Sequence, residues 1–256
     1  MSKESKSEPL ILVCNDDGIF SPGILALAEV ADEFGQVEII APDRQQSAVG
    51  HAITVSTPLR SRSFQVDGRF NGQAVTGTPA DSVKLGHDQL LDRKPDLVVS
   101  GINHGSNAGV NILYSGTVSA ATEGTILGYP SIAVSCTDYD EEADLSGVQE
   151  ASRRVIKYVL QEGLPKGVTL NLNVPAGPLE GIKWASQANS RYVEEFEGRI
   201  DPRNESYYWL TGRMELLDEA EDVDVRVLEQ GYASLTPIQY DLTDYSLLEE
   251  MEGMEL

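Results

Sequence analysis

Short apolar runs recur through the first half of the chain, as LILVC (10–14), VEIIAP (37–42), PDLVVSG (95–101) and SIAVSC (131–136). Between them lie segments with apolar residues at helical spacing, such as Ile24, Leu27, Ala31 and Phe34 on one face ahead of a stop at Gly35. Strands that alternate with helices pair in parallel, because a parallel pair needs a long crossover. PDLVVSG has no polar alternation, as expected of a strand covered on both faces. QAVTGTP (73–79) ends a third extended run, and PADSVKLGHDQLL (79–91) reads as a helix with Pro79 in its first turn and Thr78 as N-cap. YSGTVSAATEGTILG (114–128) reads as a helix of small residues packed close to the sheet. The pattern predicts an α/β fold with a Rossmann-like, doubly wound, mostly parallel sheet.

After about Thr137 the pattern loosens into an acidic loop, a helix near Val148–Leu160, a strand GVTLNLNVP (167–175) and a long polar segment containing DPRNESYYWLTGR. The expected organisation is a flexible N-terminal tail over 1–8, a Rossmann-like catalytic core over 9–137, and a remainder over 138–256. That remainder completes the core, adds a smaller extended lobe that closes against a partner subunit, and ends in an acidic tail. At 256 residues the chain is long enough for one large domain or two small ones, and it shows no internal repeat.

The start MSKESKSEP lacks an apolar core, and no run of about 18 uncharged apolar residues occurs anywhere, so neither a signal peptide nor a membrane span is expected. Cys14 and Cys136 lie in or beside apolar runs without paired spacing, as small buried hydrophobes of a reducing, cytoplasmic compartment. The formal charge of −22, from 41 acidic against 19 basic residues, argues against long nucleic acid as a partner, which needs a basic stripe. One hypothesis for so acidic a surface is a salt-rich cytosol that screens its self-repulsion; it requires a melting temperature that rises with KCl.

In doubly wound sheets ligands bind beyond the carboxyl ends of the strands. Those ends collect Asn15, Asp16, Asp17 and Gly18, then Asp43, Arg44 and Ser47, then Asn103 in GINHGSN. Two adjacent carboxylates at the end of a buried strand repel each other unless a cation compensates them, which suits Mg²⁺, Mn²⁺ or Ca²⁺ held by oxygens. NDDG reads equally well as a plain turn. The glycine-rich loop with Gly105, Ser106 and Asn107, and the helix entry Ser115, Gly116 and Thr117, offer backbone N–H groups to an anion, although Ser115 and Thr117 serve equally as N-caps. Asn15 joins these as a candidate substrate contact. Of the histidines, His104 adjoins Asn103 within reach of a substrate or its leaving group, although a lone loop histidine is more often simply hydrogen-bonded; His87 is expected at the surface, and His51 carries no assignment. There is no GxxxxGK[ST], no GxGxxG opening a helix, no GxSxG and no HExxH, so P-loop kinases, dinucleotide dehydrogenases, serine esterases and zinc peptidases lose ground.

VCNDDGIFSPGI, APDRQQSAVGHAIT, GTPADSVKLG, PDLVVSGINHGSNAG and YSGTVSAATEG, in that order, resemble the SurE family of stationary-phase survival proteins, which act as 5′/3′-nucleotidases. GYASLTPIQYD near the C-terminus is similar to that family's closing strand. The resemblance implies a metal-dependent phosphomonoesterase that converts nucleoside 5′-monophosphates, and 3′-monophosphates as a further substrate class, to nucleoside and phosphate. It implies one divalent cation per subunit (Mg²⁺ or Mn²⁺, with Ca²⁺ able to stand in) on Asp16, Asp17, Ser47 and Asn103. Asp16, Asp17 and Asn103 would be the catalytic residues, with the cation polarising a phosphoryl oxygen and activating a water. It further implies homodimers or homotetramers built through the C-terminal lobe. Val110 and Asn111 stand where the family pattern has an acidic residue, which bears on the hydrogen bonds around the cation. A nucleotide- or metal-binding module without turnover and another α/β metal hydrolase are the competing readings. Base preference, and whether an aspartate or water attacks, stay open.

Overall fold

The computed structural model describes residues 8–140, 142–217, 219–252 and 254; the predicted tail falls almost wholly outside them. The elements run β1 (Leu10–Cys14), α1 (Pro22–Asp32), β2 (Gln36–Pro42), β3 (Ser61–Val66), β4 (Phe70–Val75), α2 (Pro79–Leu85), β5 (Leu97–His104), α3 (Gly116–Ile126), β6 (Ser131–Cys136), α4 (Ser146–Glu162) and β7 (Val168–Val174). The second half continues with β8 (Ile182–Trp184), β9 (Ser190–Val193), β10 (Phe196–Ile200), β11 (Ser206–Leu210), β12 (Arg213–Leu216), α5 (Asp224–Glu229), β13 (Ala233–Gln239) and α6 (Tyr245–Glu250).

Among the described residues nine strands form one sheet in the order β3-β4-β2-β1-β5-β6-β7-β13-β8. The strands from β4 through β7 are parallel, whereas β3 and β13 run antiparallel to β4 and β7. Every residue of β1, β6 and the start of β5 is buried, so their aliphatic side chains each supply ~1.5–3 kcal/mol of hydrophobic stabilisation. Helices α1 and α4 pack together on one face of the sheet and α2 with α3 on the other, which is the doubly wound arrangement the alternating sequence predicts. The chain winds outward through β2 and β4 on one side of β1 and through β5, β6 and β7 on the other. The order therefore reverses between β1 and β5.

Local signals explain the boundaries. Ser21 caps α1 by accepting from the Ile24 N–H at 3.3 Å, with Pro22 next to it. Thr78 and Asp81 form a capping box on α2 with Pro79 in the first turn, as expected. Beyond Leu85 that helix widens into a π turn over Gly86–Leu90, where His87 Nδ1 lies 2.6 Å from the Tyr129 hydroxyl; His87 is half-buried and bonded rather than a free surface group. α1 ends before Gly35, and the glycine is needed for a different reason: a Cβ there would lie 2.3 Å from the Pro9 carbonyl oxygen. The polar segment after β8 forms two small antiparallel pairs, β9 with β12 and β10 with β11, and the second of these hairpins is exposed along its whole length.

Candidate active site

At the end of β1 the chain makes a tight turn whose closing group is Asn15. Its Nδ2 donates to the Gly18 carbonyl at 3.0 Å and to Ser21 Oγ at 2.7 Å, while the Gly18 N–H donates to its Oδ1 at 3.2 Å. Gly18 sits at φ +97°, a conformation that disfavours a side chain. Asn15 is thus fully buried and shapes the turn from behind; it does not line the cleft described below. NDDG is a turn and a carboxylate pair at once, because the turn is what presents Asp16 and Asp17 side by side.

Asp16 is 6% exposed and its Oδ1 accepts from the Thr117 hydroxyl at 2.5 Å. Burial pushes its carboxyl up to about 6, the Thr117 hydroxyl opposes that rise, and the charge of Asp17 adds to it; the Thr117 backbone N–H also stabilises the ionised form. Thr117, a candidate phosphate contact by sequence, instead holds Asp16, and Gly116 lies against the same side chain: a Cβ at Gly116 would come within 2.7 Å of Asp16 Cβ. Asp17 is half-buried and accepts from Gln45 Nε2 at 3.3 Å.

The loop after β2 carries Ser47 and has no regular structure over 43–56. It is tied to its neighbours group by group. The Gln46 N–H donates to the Asp16 carbonyl at 2.7 Å and the Gly50 N–H to the Tyr114 carbonyl at 3.0 Å. The Thr54 N–H and hydroxyl donate to Asp81 at 3.0 and 2.6 Å, and Thr78 Oγ1 donates to the Ala52 carbonyl at 2.7 Å. His51 Nε2 sits 2.9 Å from Glu123, a buried carboxylate of α3 that also accepts from Lys84 Nζ at 2.5 Å. Burial alone would raise the Glu123 carboxyl; the His51 and Lys84 bonds outweigh it and hold the carboxyl below its usual range. His51 and Glu123 are therefore struts for the Ser47 loop, a role without a motif in the sequence.

At the end of β5 the pairing with β6 slips between Ser100 and Asn103, an irregularity of the kind that re-aims a side chain at a strand end. Asn103 Nδ2 donates to the Gly105 carbonyl at 2.6 Å, which leaves its oxygen as the end available to a ligand. The glycine-rich loop is held mostly from below. The Gly105 N–H donates to the Asp138 carbonyl at 2.9 Å, the Asn107 N–H to Asn173 Oδ1 at 2.7 Å, and Asn171 Nδ2 to the Asn107 carbonyl at 2.8 Å. The Gly109 N–H donates to buried Asp224 at 2.9 Å and the Val110 N–H to Ser190 Oγ at 2.9 Å. Asn111 accepts from the Tyr192 hydroxyl at 2.9 Å and donates to the Ser106 carbonyl at 3.3 Å, tying the loop to β9. Sequence reading missed Asn171, Asn173 and Asp224. A signal exists for the first two: in TLNLNV they recur at i and i+2 on the same face as Thr169, opposite the apolar face of a buried strand.

These strand ends enclose a cleft of about 680 Å³. Asp16, Asp17, Ser47 and Asn103 line it, as do Gly105, Ser106, Asn107 and Ser115; Asn15, Gly116 and Thr117 stand behind. The Ser115 hydroxyl caps α3 by accepting from the Val118 N–H at 3.0 Å. His104 lines the cleft too, and among the described residues its buried Nε2 has no hydrogen-bond partner. Arg44 is the one Arg or Lys side chain lining it among the described residues. Sequence reading did not foresee the aromatic residues at its edge, Phe20, Tyr114 and Tyr139.

The donor set fits a hard divalent cation. Asp16 is a buried carboxylate whose bonding partners are neutral, and a cation beside it would reverse the rise of its pKa. Among the described residues no three His, Cys, Asp or Glu side chains converge on one point. A cation here would be held by two carboxylates, a hydroxyl and an amide oxygen, keeping positions for water and substrate as Mg²⁺ and Mn²⁺ sites do.

Residues 11–194 match the family described as survival protein SurE. The chain is 45% identical to the 5′-nucleotidase SurE of Christiangramia forsetii, across 98% of this chain and 99% of that protein. It is 49% identical to the 5′-nucleotidase SurE of Cytophaga hutchinsonii, across 96% of each. Among solved structures, the crystal structure of the SurE protein from Aquifex aeolicus superposes with a TM-score of 0.82 at 41% identity, covering 95% of this chain and 98% of that one.

Proposed function

The chain belongs to the SurE family and is a 5′-nucleotidase; we propose that it releases phosphate from nucleoside 5′-monophosphates with the help of one divalent cation, Mg²⁺ or Mn²⁺, held by Asp16, Asp17, Ser47 and Asn103. The observation that carries the site assignment is the convergence of those four oxygen donors, from three strand ends, on one cleft. Bound there, the cation would supply a Lewis acid for a phosphoryl oxygen and a more acidic water.

The chain's own residues do the rest. Thr117 keeps Asp16 ionised and oriented, and Asn15 fixes the turn that sets Asp17 beside it. Ser106 and Arg44 offer donors to the remaining phosphate oxygens, with the Ser115 hydroxyl at the N-terminus of α3 facing the same space. His104 lines the same cleft and is the candidate proton donor to the departing nucleoside oxygen. The rigidity of the glycine-rich loop, fixed by Asn171, Asn173 and Asp224, keeps these donors where charge develops in the transition state.

We place the enzyme in the cytoplasm, a reading supported by two buried free thiols, Cys14 and Cys136; no helix among the described residues is long and apolar enough to cross a membrane. Homodimers or homotetramers would form through the C-terminal lobe, where the β10–β11 hairpin exposes Phe196, Tyr208, Trp209 and Leu210. The deciding experiment is phosphate release from a panel of 5′- and 3′-nucleoside monophosphates with Mg²⁺, Mn²⁺ or EDTA. Release that EDTA stops and either metal restores is expected. Folded protein that releases no phosphate from any nucleotide refutes the reading.

A further inference from the structure

Three aromatic side chains stand exposed at the edge of the cleft, and they are not equivalent. Phe20 is in an edge-to-face pair with Phe64, centroids 5.2 Å apart at 85°, so its ring already has a partner. Tyr114 precedes Ser115, the N-cap of α3, and so stands beside a helix N-terminus, which favours an anion over a neutral base. Tyr139 is on the loop that leads from β6 into α4, toward the opposite face, and is 76% exposed.

That exposure is not looseness. A Cβ at Gly105 would come within 2.5 Å of Tyr139 Cε1, so the ring rests directly on the glycine. Gly105 is at φ +98°, and its N–H donates to the carbonyl of Asp138, the residue before the tyrosine. One edge of an aromatic ring is thus seated on the glycine-rich loop that lines the cleft, while most of its surface is bare. Its neighbours Asp138 and Asp140 are acidic, and a phosphate dianion would be repelled there, whereas a neutral base would not. A cleft of about 680 Å³ has room for more than a phosphate.

Given the nucleotidase reading, on which this rests, we propose that Tyr139 is the stacking surface for the nucleobase. A substrate with its phosphate near Ser106 and Ser115 would cross the ends of β1 and β5 and lay its base on the tyrosine. Stacking accepts any base, since each has a π face, so the site would hold purines and pyrimidines alike.

The test is Tyr139→Ala, with Tyr139→Phe as the conservative control. In Tyr139→Ala, KM for a nucleoside 5′-monophosphate should rise about tenfold, with kcat and competitive inhibition by inorganic phosphate unchanged; Tyr139→Phe should restore the KM. Calorimetric titration of the free nucleoside, which requires no turnover, should show a parallel loss of affinity. An unchanged KM, or a KM that rises together with the inhibition constant for phosphate, overturns the assignment. If the unmodified protein binds the nucleoside but hydrolyses no nucleotide, the catalytic reading fails while the stacking site stands; if it binds no nucleoside, the stacking site fails.

Discussion

Replacing Asp16 by asparagine should kill the enzyme and stabilise the protein. The carboxyl titrates at about 6 in the fold against an ordinary value of 3.8, chiefly because it is buried. A folded pKa above the unfolded one means that the unfolded chain surrenders its proton first as pH rises. Stability is full below about pH 4, falls through pH 6 and stays low above it. At about 1.36 kcal/mol per pH unit of separation the loss is about 3 kcal/mol at pH 8, with roughly half of it already present at pH 5. The asparagine amide would keep an acceptor for the Thr117 hydroxyl and remove the charge. Urea unfolding in EDTA, followed by circular dichroism, should therefore show Asp16→Asn more stable than the parent by up to about 3 kcal/mol at pH 8 and by about half that at pH 5. Adding Mn²⁺ should stabilise the parent and leave the variant where it was, since a ligand stabilises only what binds it. A variant no more stable than the parent at pH 8, or equally more stable at both pH values, would refute the view of Asp16 as a carboxylate strained by burial and awaiting a cation.

Gly116→Ala should fold normally, alanine being a good helix former, yet lose about a hundredfold in kcat because the new methyl displaces Asp16 by a fraction of an ångström or more; steady-state kinetics beside a thermal melt will check it. Asn15→Ala removes three hydrogen bonds from a buried turn and should cost about 2–3 kcal/mol in urea unfolding, along with activity. Glu123→Gln strips His51 and Lys84 of their shared carboxylate and should cost roughly 1–2 kcal/mol at pH 7, the two partner side chains being partly exposed. Since the Glu123 carboxyl lies below its usual range, that stability is present at neutral pH and lost as pH falls through its folded pKa, so parent and variant curves should converge in acid.

The parallel core was legible because its strands are buried on both faces: LILVC, PDLVVSG and SIAVSC can be little else, and the helix starts carry Ser21 and Thr78 with a proline behind each. β3 was not, since SRSFQV is a largely exposed edge strand held by pairing with β4, with only Phe64 and Val66 to mark it. The strands from β9 to β12 escaped for the same reason, being short pairs with little buried surface. At the site, the rule that ligands gather beyond strand ends finds the residues that face the cleft, because position and donor chemistry are both written in the sequence. It does not separate lining from scaffold: Asn15 and Thr117 are polar and adjacent to the carboxylates, yet their hydrogen bonds go to the protein, and only the fold shows where an oxygen is already engaged.

The reversal of winding between β1 and β5 has an evolutionary side. Asp16 is held by a hydroxyl 101 residues further along the chain, so no stretch of sequence carries the site by itself, and a chain cut between the two has nothing to hand on. The connections at the amino ends of the strands, such as 67–69 ahead of β4 and 127–130 ahead of β6, sit at the far end of the same sheet. A change of length there would act on the packing of the sheet and its helices and not directly on the groups that line the cleft.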